Sequence, residues 1–429
     1  MNKLTAGILL GVGIAGAAAA YMPVKVGDTV QQQVELAVAS VNMKQKSAGI
    51  EINVLDYQKN AYSSSLITRF TFTDNALEKA DGTAPYFDIK HDIAHGFSSA
   101  KFTSEVVVTE EMKESLKELD GKVPLHFDGL ISASKSVVNT YIEGFTLTPD
   151  SGTIKVYPGI IRLNYDVEKS AYDINGIWNG AELDASGNQF TVGEASIKGT
   201  GHQLSDYIWS YNNDINISTL DLNSDKIVLS SSSLNLKDKF DIQVNADTPD
   251  TIHYSGTWSL NKLHIEQYGR TLYDFQPSGF SYTLTGPTVE QTEALMQVAE
   301  NMSPEQMSQE DAKRILPVLA DVVNAAEFGL HDVNVVTEEG RINGDLKVNL
   351  ATSQQELIQA MSFPPILANY VQLESNASIS KSLFDSMPVL GTIANQLNQM
   401  GAYKEDEEDM LIHSQMEQGQ LIINDVPMR

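Results

Sequence analysis

The stretch Glu51-Ile-Asn-Val-Leu-Asp-Tyr57 alternates apolar and polar residues, and a polar break at 58–60 separates it from Ser65-Leu-Ile-Thr-Arg-Phe-Thr-Phe-Thr73. A period of two residues is typical of a strand with one buried face. Two such runs divided by turn residues predict a β-hairpin. Because the same period recurs along much of the chain, this stretch decides the fold class. We predict a mainly β protein with a minority of helices.

The alternation continues as far as Gly286 and predicts one antiparallel β-rich body over residues 51–286. Such a series of strands, with turn signals and no helical period, indicates a large sheet, a sandwich or a partly open barrel. The predicted pairs are Tyr86–His95 with Lys101–Thr109, Thr153–Val156 with Ile160–Val167, and Ala171–Trp178 with Gln189–Ile197. Further strands are predicted at Ile215–Leu222, Lys226–Leu236, Phe240–Asn245, Ile252–Ile265 and Gly279–Gly286.

Residues 287–402 carry helical patterns with interleaved strands, which we expect to pack on the sheet. Thr288–Asn301 and Ala312–Ala326 have apolar residues at helical spacing, and Pro317 should kink the second helix. Capping boxes at Ser303–Gln306 and Ser353–Glu356 signal helix starts. The remaining predictions for this part are strands at Leu330–Thr337, Arg341–Leu350 and Val371–Ile379, and a helix over Ser380–Met400 interrupted near Pro388. Residues 403–429 should form an acidic loop, Tyr403–Asp409, and a C-terminal hairpin.

The N-terminus reads as a membrane segment. Leu4–Met22 carries no charge, and Lys3 is the one basic side chain before it. Its length favours a retained signal-anchor over a cleaved signal peptide, for which Ala17–Ala20 would supply the exit. Residues 23–50 should follow as a juxtamembrane helix, with Val38 on its apolar face. We therefore expect a single-pass protein of the bacterial inner membrane, held through Leu4–Met22, with its bulk in the periplasm.

The amino-acid composition excludes some classes of binding partner and some kinds of chemistry. The chain has 56 acidic against 29 basic residues, a net charge of −27 and no cysteine. Such an acidic surface repels nucleic acid and anionic lipid headgroups. Without cysteine there is no disulfide, no thiolate nucleophile and no sulfur ligand for a metal.

No catalytic, cofactor-binding or metal-binding residue can be assigned from the sequence. His91-Asp-Ile-Ala-His95 is similar to a zincin motif, but that motif requires a helix, and this segment is predicted to be extended. On a strand the two imidazoles would lie roughly 13 Å apart, too far for one zinc ion. We expect both histidines to have structural or surface roles. The fragments at Asp81, Asp184–Gly187 and Asp221–Asp225 resemble incomplete calcium loops and are interpreted as turns.

Two further features allow competing interpretations. The glycine-rich segments at 176–180 and 193–201 do not join a strand to a capped helix, so phosphate binding is not expected. The aromatic residues on the predicted strands would either line a ligand groove or pack in the core, and the sequence favours packing. They are Trp178, Tyr207, Trp209, Tyr211 and Trp258.

Several stretches, in the right order from the first residues to the last, resemble the YdgA-like family. They are Val26–Val34, Asp56–Ser65, Ile93–Phe97 and Gly419–Pro427, although Asn60 and Asp425 stand where that family has glycine. The resemblance implies an envelope protein of unknown function, anchored in the inner membrane with a periplasmic bulk, and it supplies no catalytic residue. More remotely, Gly340–Val348 and the β-rich body are similar to AsmA-like proteins, which implies a role in envelope lipid traffic.

The expected function is non-enzymatic: an anchored envelope protein that binds a lipid or protein partner along a β-sheet surface. A periplasmic hydrolase with a site assembled from distant residues is the first alternative, and a structural or adhesive surface protein is the second. A continuous apolar concave sheet face would favour lipid handling, whereas a compact polar pocket with convergent carboxylates or a histidine would favour the enzyme.

Overall fold

The computed structural model describes the β-rich body and part of the N-terminal region. It covers residues 38, 50–60, 62–72, 85–119, 121, 123–132, 134–149, 152–205, 207–245, 248–300, 309–350, 352–362, 369–417 and 419–428. The chain divides into two compact units, residues 1–203 and 204–429. Both are mainly β, as predicted, and every pairing between named strands within each unit is antiparallel in the described parts.

The described residues of unit 1 form strands β1 to β13, the short helix α1 and a 3₁₀ turn, besides the single helical residue Val38. The strands are β1 Ile50–Lys59, β2 Ser63–Phe72, β3 Tyr86–His95, β4 Ser99–Val106, β5 Leu125–Ser132, β6 Lys135–Ile142, β7 Phe145–Leu147, β8 Gly152–Val156, β9 Gly159–Asp166, β10 Ala171–Trp178, β11 Ala181–Ala185, β12 Asn188–Val192 and β13 Ala195–Gln203. Helix α1 is Glu110–Ser115, followed by the 3₁₀ turn Lys117–Leu119.

The pairings confirm two predicted hairpins and correct two. The β1–β2 and β3–β4 hairpins form as expected. The predicted pair Thr153–Val156 with Ile160–Val167 is wrong, because β8 and β9 are successive parts of one strand and do not pair with each other. Instead β8 pairs with β7 and β11, while β9 pairs with β6 and β10. The predicted pair Ala171–Trp178 with Gln189–Ile197 is confirmed in part. Residues 195–197 belong to β13, which pairs with β10, whereas residues 188–192 form β12, which pairs with β11.

Four long strands of unit 1 are interrupted at the same level, which explains these errors. Residues 143–144, 157–158, 179–180 and 193–194 separate β6 from β7, β8 from β9, β10 from β11 and β12 from β13. Hydrogen bonds cross between the interruptions: Tyr157 N donates to Gly180 O at 2.9 Å, and Asn179 N donates to Pro158 O at 3.1 Å. Proline cannot donate to a ladder, and here it marks a bend within a strand rather than a hairpin turn.

One of these interruptions requires a glycine. Gly180 has φ +97°, and a Cβ there would collide with the carbonyl oxygen of Val192. Gly187, in the β11–β12 turn, has a similar φ of +82° but open space around it. Both positions carry the backbone strain of a positive φ, whereas only Gly180 adds a steric clash.

We therefore predict that Gly180→Ala destabilises unit 1 more than Gly187→Ala does. The Gly187 variant should lose about 1 kcal/mol of unfolding free energy, and the Gly180 variant about 1–2 kcal/mol more. Denaturant unfolding of the two variants beside the unsubstituted protein measures the difference. Equal losses would contradict the bend described above.

The core of unit 1 lies on one face of the β1–β6 sheet and is fully packed. Two clusters of buried residues occupy this face, centred on Phe70 and Leu66, each 2% exposed. Val38 is helical, as predicted, and packs against both clusters. The other predicted residues of that juxtamembrane helix, and all of Leu4–Met22, lie outside the described residues.

Unit 2 is a meander of long strands. The strands are β14 Trp209–Asn223, β15 Ile227–Asn245, β16 Thr248–Leu260, β17 Lys262–Gln267, β18 Arg270–Phe275, β19 Ser278–Thr288, β20 Glu327–Val336, β21 Arg341–Leu350, β22 Val371–Ser380, β23 Lys404–Asp406, β24 Asp409–Glu417, β25 Gln420–Ile423 and β26 Val426–Pro427. The helices are α2 Val289–Glu300, α3 Gln309–Ala325, α4 Gln354–Ser362, α5 Leu383–Ser386 and α6 Pro388–Gln399.

The sheet order of unit 2 follows the chain. The main order is β14, β15, β16, β19, β20, β21, β22 and β24. The short strand β17 pairs with the first part of β15, and β18 pairs with β17. Strands β23 and β25 both pair with β24. The predicted runs Lys226–Leu236 and Phe240–Asn245 form one strand, β15, whereas Ile252–Ile265 is split at Asn261 into β16 and β17. The predicted acidic loop is instead a tight hairpin, because Lys404–Asp406 pairs with β24.

The helices of unit 2 follow the predicted signals. Pro317 lies inside α3, and the helical region after β22 is divided at Pro388. The capping box at α4 is confirmed: Glu356 N donates to Ser353 Oγ, and Ser353 N donates to a Glu356 carboxylate oxygen at 3.1 Å. The box at Ser303–Gln306 lies outside the described residues. Helices α5 and α6 cover a third buried cluster that includes Leu383, Leu397 and Met410.

Candidate functional site

The sheet of unit 2 has one apolar face that crosses eight strands. Directly paired residues form a single row on this face, and every member of the row is apolar or aromatic. In order the row is Tyr211, Phe240, Tyr254, Leu284, Phe328, Val348, Leu373 and Met416. A neighbouring row on the same face is Ile215, Leu236, Trp258 and Phe280. We call this surface the apolar face.

The opposite face of the same strands is polar. The row directly behind the first one reads Asn212, Lys239, Ser255, Thr283, Gly329, Lys347, Glu374 and Gln415. Because side chains alternate across a strand, this contrast follows from the period of two in the sequence. The sheet therefore has one polar face suited to solvent and one apolar face that is stabilised when apolar groups cover it.

The apolar face is covered only in part. None of the eight residues in its first row is fully buried, and Leu284 and Phe328 are 38% and 40% exposed. The core of unit 1 differs, since Phe70 and Leu66 there are 2% exposed. Helix α2 contacts β16 and β19, and helix α3 contacts β19 and β21. The first row of unit 2 therefore stays partly open to solvent, and an extended exposed apolar surface often marks a binding site.

Six aromatic rings form a continuous chain on the apolar face. Ring centroids are 5.8 Å apart for Tyr211 and Phe240, 6.5 Å for Phe240 and Tyr254, and 5.5 Å for Tyr254 and Tyr282. The chain continues from Tyr282 to Phe280 at 6.4 Å and from Phe280 to Trp258 at 5.6 Å. We call this set of six the aromatic horseshoe.

The interior of the horseshoe holds a glycine and a carboxylate. Gly256 is paired with Asp238 on one side and with Tyr282 on the other, and Asp238 is paired in turn with Asn213. The Tyr282 ring lies where a Cβ on Gly256 would be, so only glycine fits beneath it. The hydroxyls of Tyr254 and Tyr282 are 3.1 Å apart. Burial raises the pKa of Tyr282, and its hydrogen bond with Tyr254 and the negative charge of Asp238 act in the same direction.

The aromatic residues named from the sequence have different environments in the structure. Tyr211 and Trp258, which the sequence placed by preference in the core, lie on the partly open apolar face. Trp178 lies at the strand interruption of unit 1, where its indole N–H donates to Tyr157 O at 3.1 Å. The sequence showed that these rings would alternate with polar residues, but it did not show whether a helix would cover them.

Unit 1 repeats the two-faced pattern beyond its strand interruptions. Leu147, Ile154, Leu183 and Phe190 form an apolar row across β7, β8, β11 and β12. Leu183 and Phe190 are 37% and 38% exposed. The row behind it is Thr146, Lys155, Glu182 and Thr191. Each unit therefore has an apolar sheet surface that is partly exposed.

A second candidate is a buried polar belt in unit 1, centred on His91. His91 Nε2 lies 2.8 Å from Thr68 Oγ1, and His91 Nδ1 lies 2.7 Å from Ser104 Oγ. Protein atoms surround the imidazole on nearly every side, and only part of its surface reaches solvent. Burial lowers the pKa of His91 to about 4, against a smaller opposing effect of Asp92. The belt separates the Phe70 cluster from the Leu66 cluster.

The zincin-like pair lies on a strand, as predicted. His91 and His95 are both in β3, and His95 Nε2 lies 2.8 Å from Ser64 Oγ. In the described parts of the chain, no group of three His, Asp or Glu side chains has a geometry suited to a metal ion. Of the calcium-like fragments, Asp184–Gly187 includes the β11–β12 turn, and Asp221 accepts a hydrogen bond from Ser230 at 2.6 Å. Asp81 lies outside the described residues.

The polar face of unit 2 carries a groove of about 810 Å³, the place where a hydrolase site would be sought. Three paired residues cross it: Asp345, Asn376 and His413. His413 Nδ1 lies 2.7 Å from the amide oxygen of Asn376, and no hydroxyl of a described residue is hydrogen-bonded to His413. The nearby Ser378 hydroxyl donates to Asp409 at 2.7 Å. This arrangement lacks the paired nucleophile and base of covalent catalysis.

Comparison with known proteins identifies a family, but the description of that family assigns no function. The whole chain, residues 1–429, matches the family described as "Bacterial protein of unknown function (DUF945)", so the chain belongs to it. No curated protein and no solved structure matches the chain. Within the described residues, none of the helices is both long enough and apolar enough to cross a bilayer.

Proposed function

We propose that this protein is a non-enzymatic carrier or binding protein for acyl lipids, which it holds along the apolar face of unit 2. The single observation that carries this proposal is the row of eight apolar side chains that crosses eight strands without one being fully buried. Each Å² of apolar surface left in water costs about 25 cal/mol. An apolar ligand that covers the row removes this surface from water, and the free energy gained stabilises the complex.

An acyl chain fits this surface better than a protein partner does. A protein interface needs hydrogen bonds as well as apolar area, roughly one per 100–200 Å². The first row of the apolar face offers hydroxyls only on its two tyrosines, and the other six members offer no hydrogen-bonding side-chain group. An acyl chain is long and narrow and demands no hydrogen bonds, which matches a long row of this kind.

The proposed location follows from the first residues of the chain. We propose that Leu4–Met22 anchors the protein in the bacterial inner membrane and that the two β units lie in the periplasm, as in the YdgA-like proteins that the sequence resembles. The uncharged segment of 19 residues after Lys3 supports this placement. An anchored position would keep the apolar face close to a supply of lipid.

Photo-crosslinking with an acyl lipid tests the proposal on the full chain. A phospholipid with a diazirine near the end of its acyl chain is incubated with the detergent-purified protein, irradiated and mapped by peptide mass spectrometry. Label within residues 204–428 should fall on apolar-face positions such as Leu284 and Phe328. The exposed residue Thr257, on the opposite face next to Trp258, is the matched negative position. Equal label on both faces, or none in unit 2, would overturn the proposal.

A further inference from the structure

The carboxylate inside the aromatic horseshoe belongs to Asp238. Among the residues that the structure describes, none donates a hydrogen bond to the Asp238 side chain or forms an ion pair with it. Its two lysine neighbours in sequence point to the other face, where Lys237 pairs with Asp214 at 3.5 Å and Lys239 pairs with Asp241 at 3.0 Å. The row that lies between the two rows of the apolar face is Asn213, Asp238, Gly256, Tyr282, Leu330, Leu346, Ser375 and Ser414, and Asp238 is the one charged residue in the three rows.

The groups around the Asp238 carboxylate favour the binding of a cation. Apolar neighbours disfavour an unpaired charge, and Asp238 is only partly exposed. The rings of the horseshoe lie on the same face of the sheet as Asp238, and the faces of aromatic rings attract ammonium groups. The two hydroxyls of Tyr254 and Tyr282, 3.1 Å apart, add hydrogen-bond acceptors at the same place. One carboxylate, several rings and two hydroxyls are thus grouped on one face of the sheet, and each is a type of group that attracts an ammonium ion.

We infer that the aromatic horseshoe with Asp238 binds the ammonium group of a lipid headgroup, while the acyl chains lie along the rest of the apolar face. The inference rests on the proposed function, because the ammonium group is taken as part of the bound lipid. The net charge of −27 agrees with it, since the protein repels anionic headgroups and attracts cationic groups. The lipid class is therefore one with a protonated amine, such as a phosphoethanolamine headgroup.

Three lipids with identical acyl chains, each carrying the same diazirine, separate the headgroup from the chains. The first has a phosphoethanolamine head, the second has that amine N-acetylated and therefore uncharged, and the third has a phosphoglycerol head. In the unsubstituted full chain, label on unit 2 should be about tenfold higher for the amine lipid than for either of the others at subsaturating concentration. This comparison needs no variant, so it does not depend on any substitution folding correctly.

Substitution then locates the headgroup site. Asp238→Asn should reduce labelling by the amine lipid to the level of the N-acetylated lipid. Asp214→Asn, which removes a carboxylate from the opposite face and leaves Lys237 without it, should keep the tenfold preference. If all three lipids label the apolar face equally, the headgroup inference is wrong and the proposed function stands. If none of them labels unit 2, the proposed function itself is wrong. A preference that survives Asp238→Asn would place the amine elsewhere.

Discussion

Replacement of Leu284 and Phe328 by glutamate should reduce acyl-lipid labelling of unit 2 at least about 100-fold. Burying a Leu or Phe side chain contributes about 1.5–3 kcal/mol, and each new carboxylate must lose water when a chain lies over it. The two positions are paired in the centre of the row, so an extended acyl chain cannot avoid both. Because these two side chains are already 38% and 40% exposed, the fold should tolerate the charges.

The matched control adds the same two charges to the other face. Asn212→Glu with Thr257→Glu places them at exposed positions on β14 and β16 behind the horseshoe. This variant should label as the unsubstituted protein does with the diazirine lipid. Circular dichroism and thermal unfolding of both double variants show whether each is folded. A folded Leu284→Glu, Phe328→Glu protein that still takes up label on the apolar face would contradict the proposed function.

The alternation of polar and apolar residues was enough to predict most of the strands and their two faces, although β5, β6 and β7 were not singled out. The helices of unit 2 were also placed correctly, because α2, α3 and α6 carry apolar residues at helical spacing and Ser353–Glu356 caps α4, whereas α1 of unit 1 was not predicted. Pairing could not be predicted in the same way. The segment at Pro158 has the composition of a hairpin turn, and only the neighbouring strands, whose interruptions lie at the same level, make it a bend within one strand.

The sequence predicted the type of candidate site but not all of the residues that form it. The sequence predicted a lipid or protein surface on a sheet, and it singled out Tyr211 and Trp258 with core packing as the favoured role. Asp238 gave no signal, since it lies between two lysines in Leu236-Lys-Asp-Lys-Phe240 and reads as part of a solvated charged run. The alternation of faces sends those lysines to one side and Asp238 to the other, and register alone brings Gly256 and Tyr282 beside it.

Acidification should destabilise unit 1 through His91, by about 2–3 kcal/mol between pH 7.5 and pH 4.5. Burial lowers the pKa of His91 from about 6.5 to about 4, so between these values the unfolded chain binds a proton that the folded protein does not. The stability contributed by the neutral imidazole is present above pH 6.5 and is lost as the pH falls towards 4. Asp92 is the charged neighbour that moderates this effect.

The effect can be isolated by comparing variants at both pH values. His91→Gln keeps a donor and an acceptor for the hydroxyls of Thr68 and Ser104 but cannot take up a proton in this range. Carboxylates that titrate near pH 4 contribute equally to both proteins, so they cancel in the comparison. The exposed His202, replaced by glutamine, is the control and should change the pH dependence by less than about 0.5 kcal/mol.

Hydrogen exchange of the β3 amides reads the opening of unit 1 without requiring the whole chain to unfold in one step. In the unsubstituted protein, the opening free energy of β3 should fall by about 2–3 kcal/mol more than in His91→Gln when the pH is lowered from 7.5 to 4.5. Equal falls in the two proteins would show that His91 is protonated at little cost. In that case the belt would have to open to water, and the Phe70 and Leu66 clusters would not form one dry face with His91 between them.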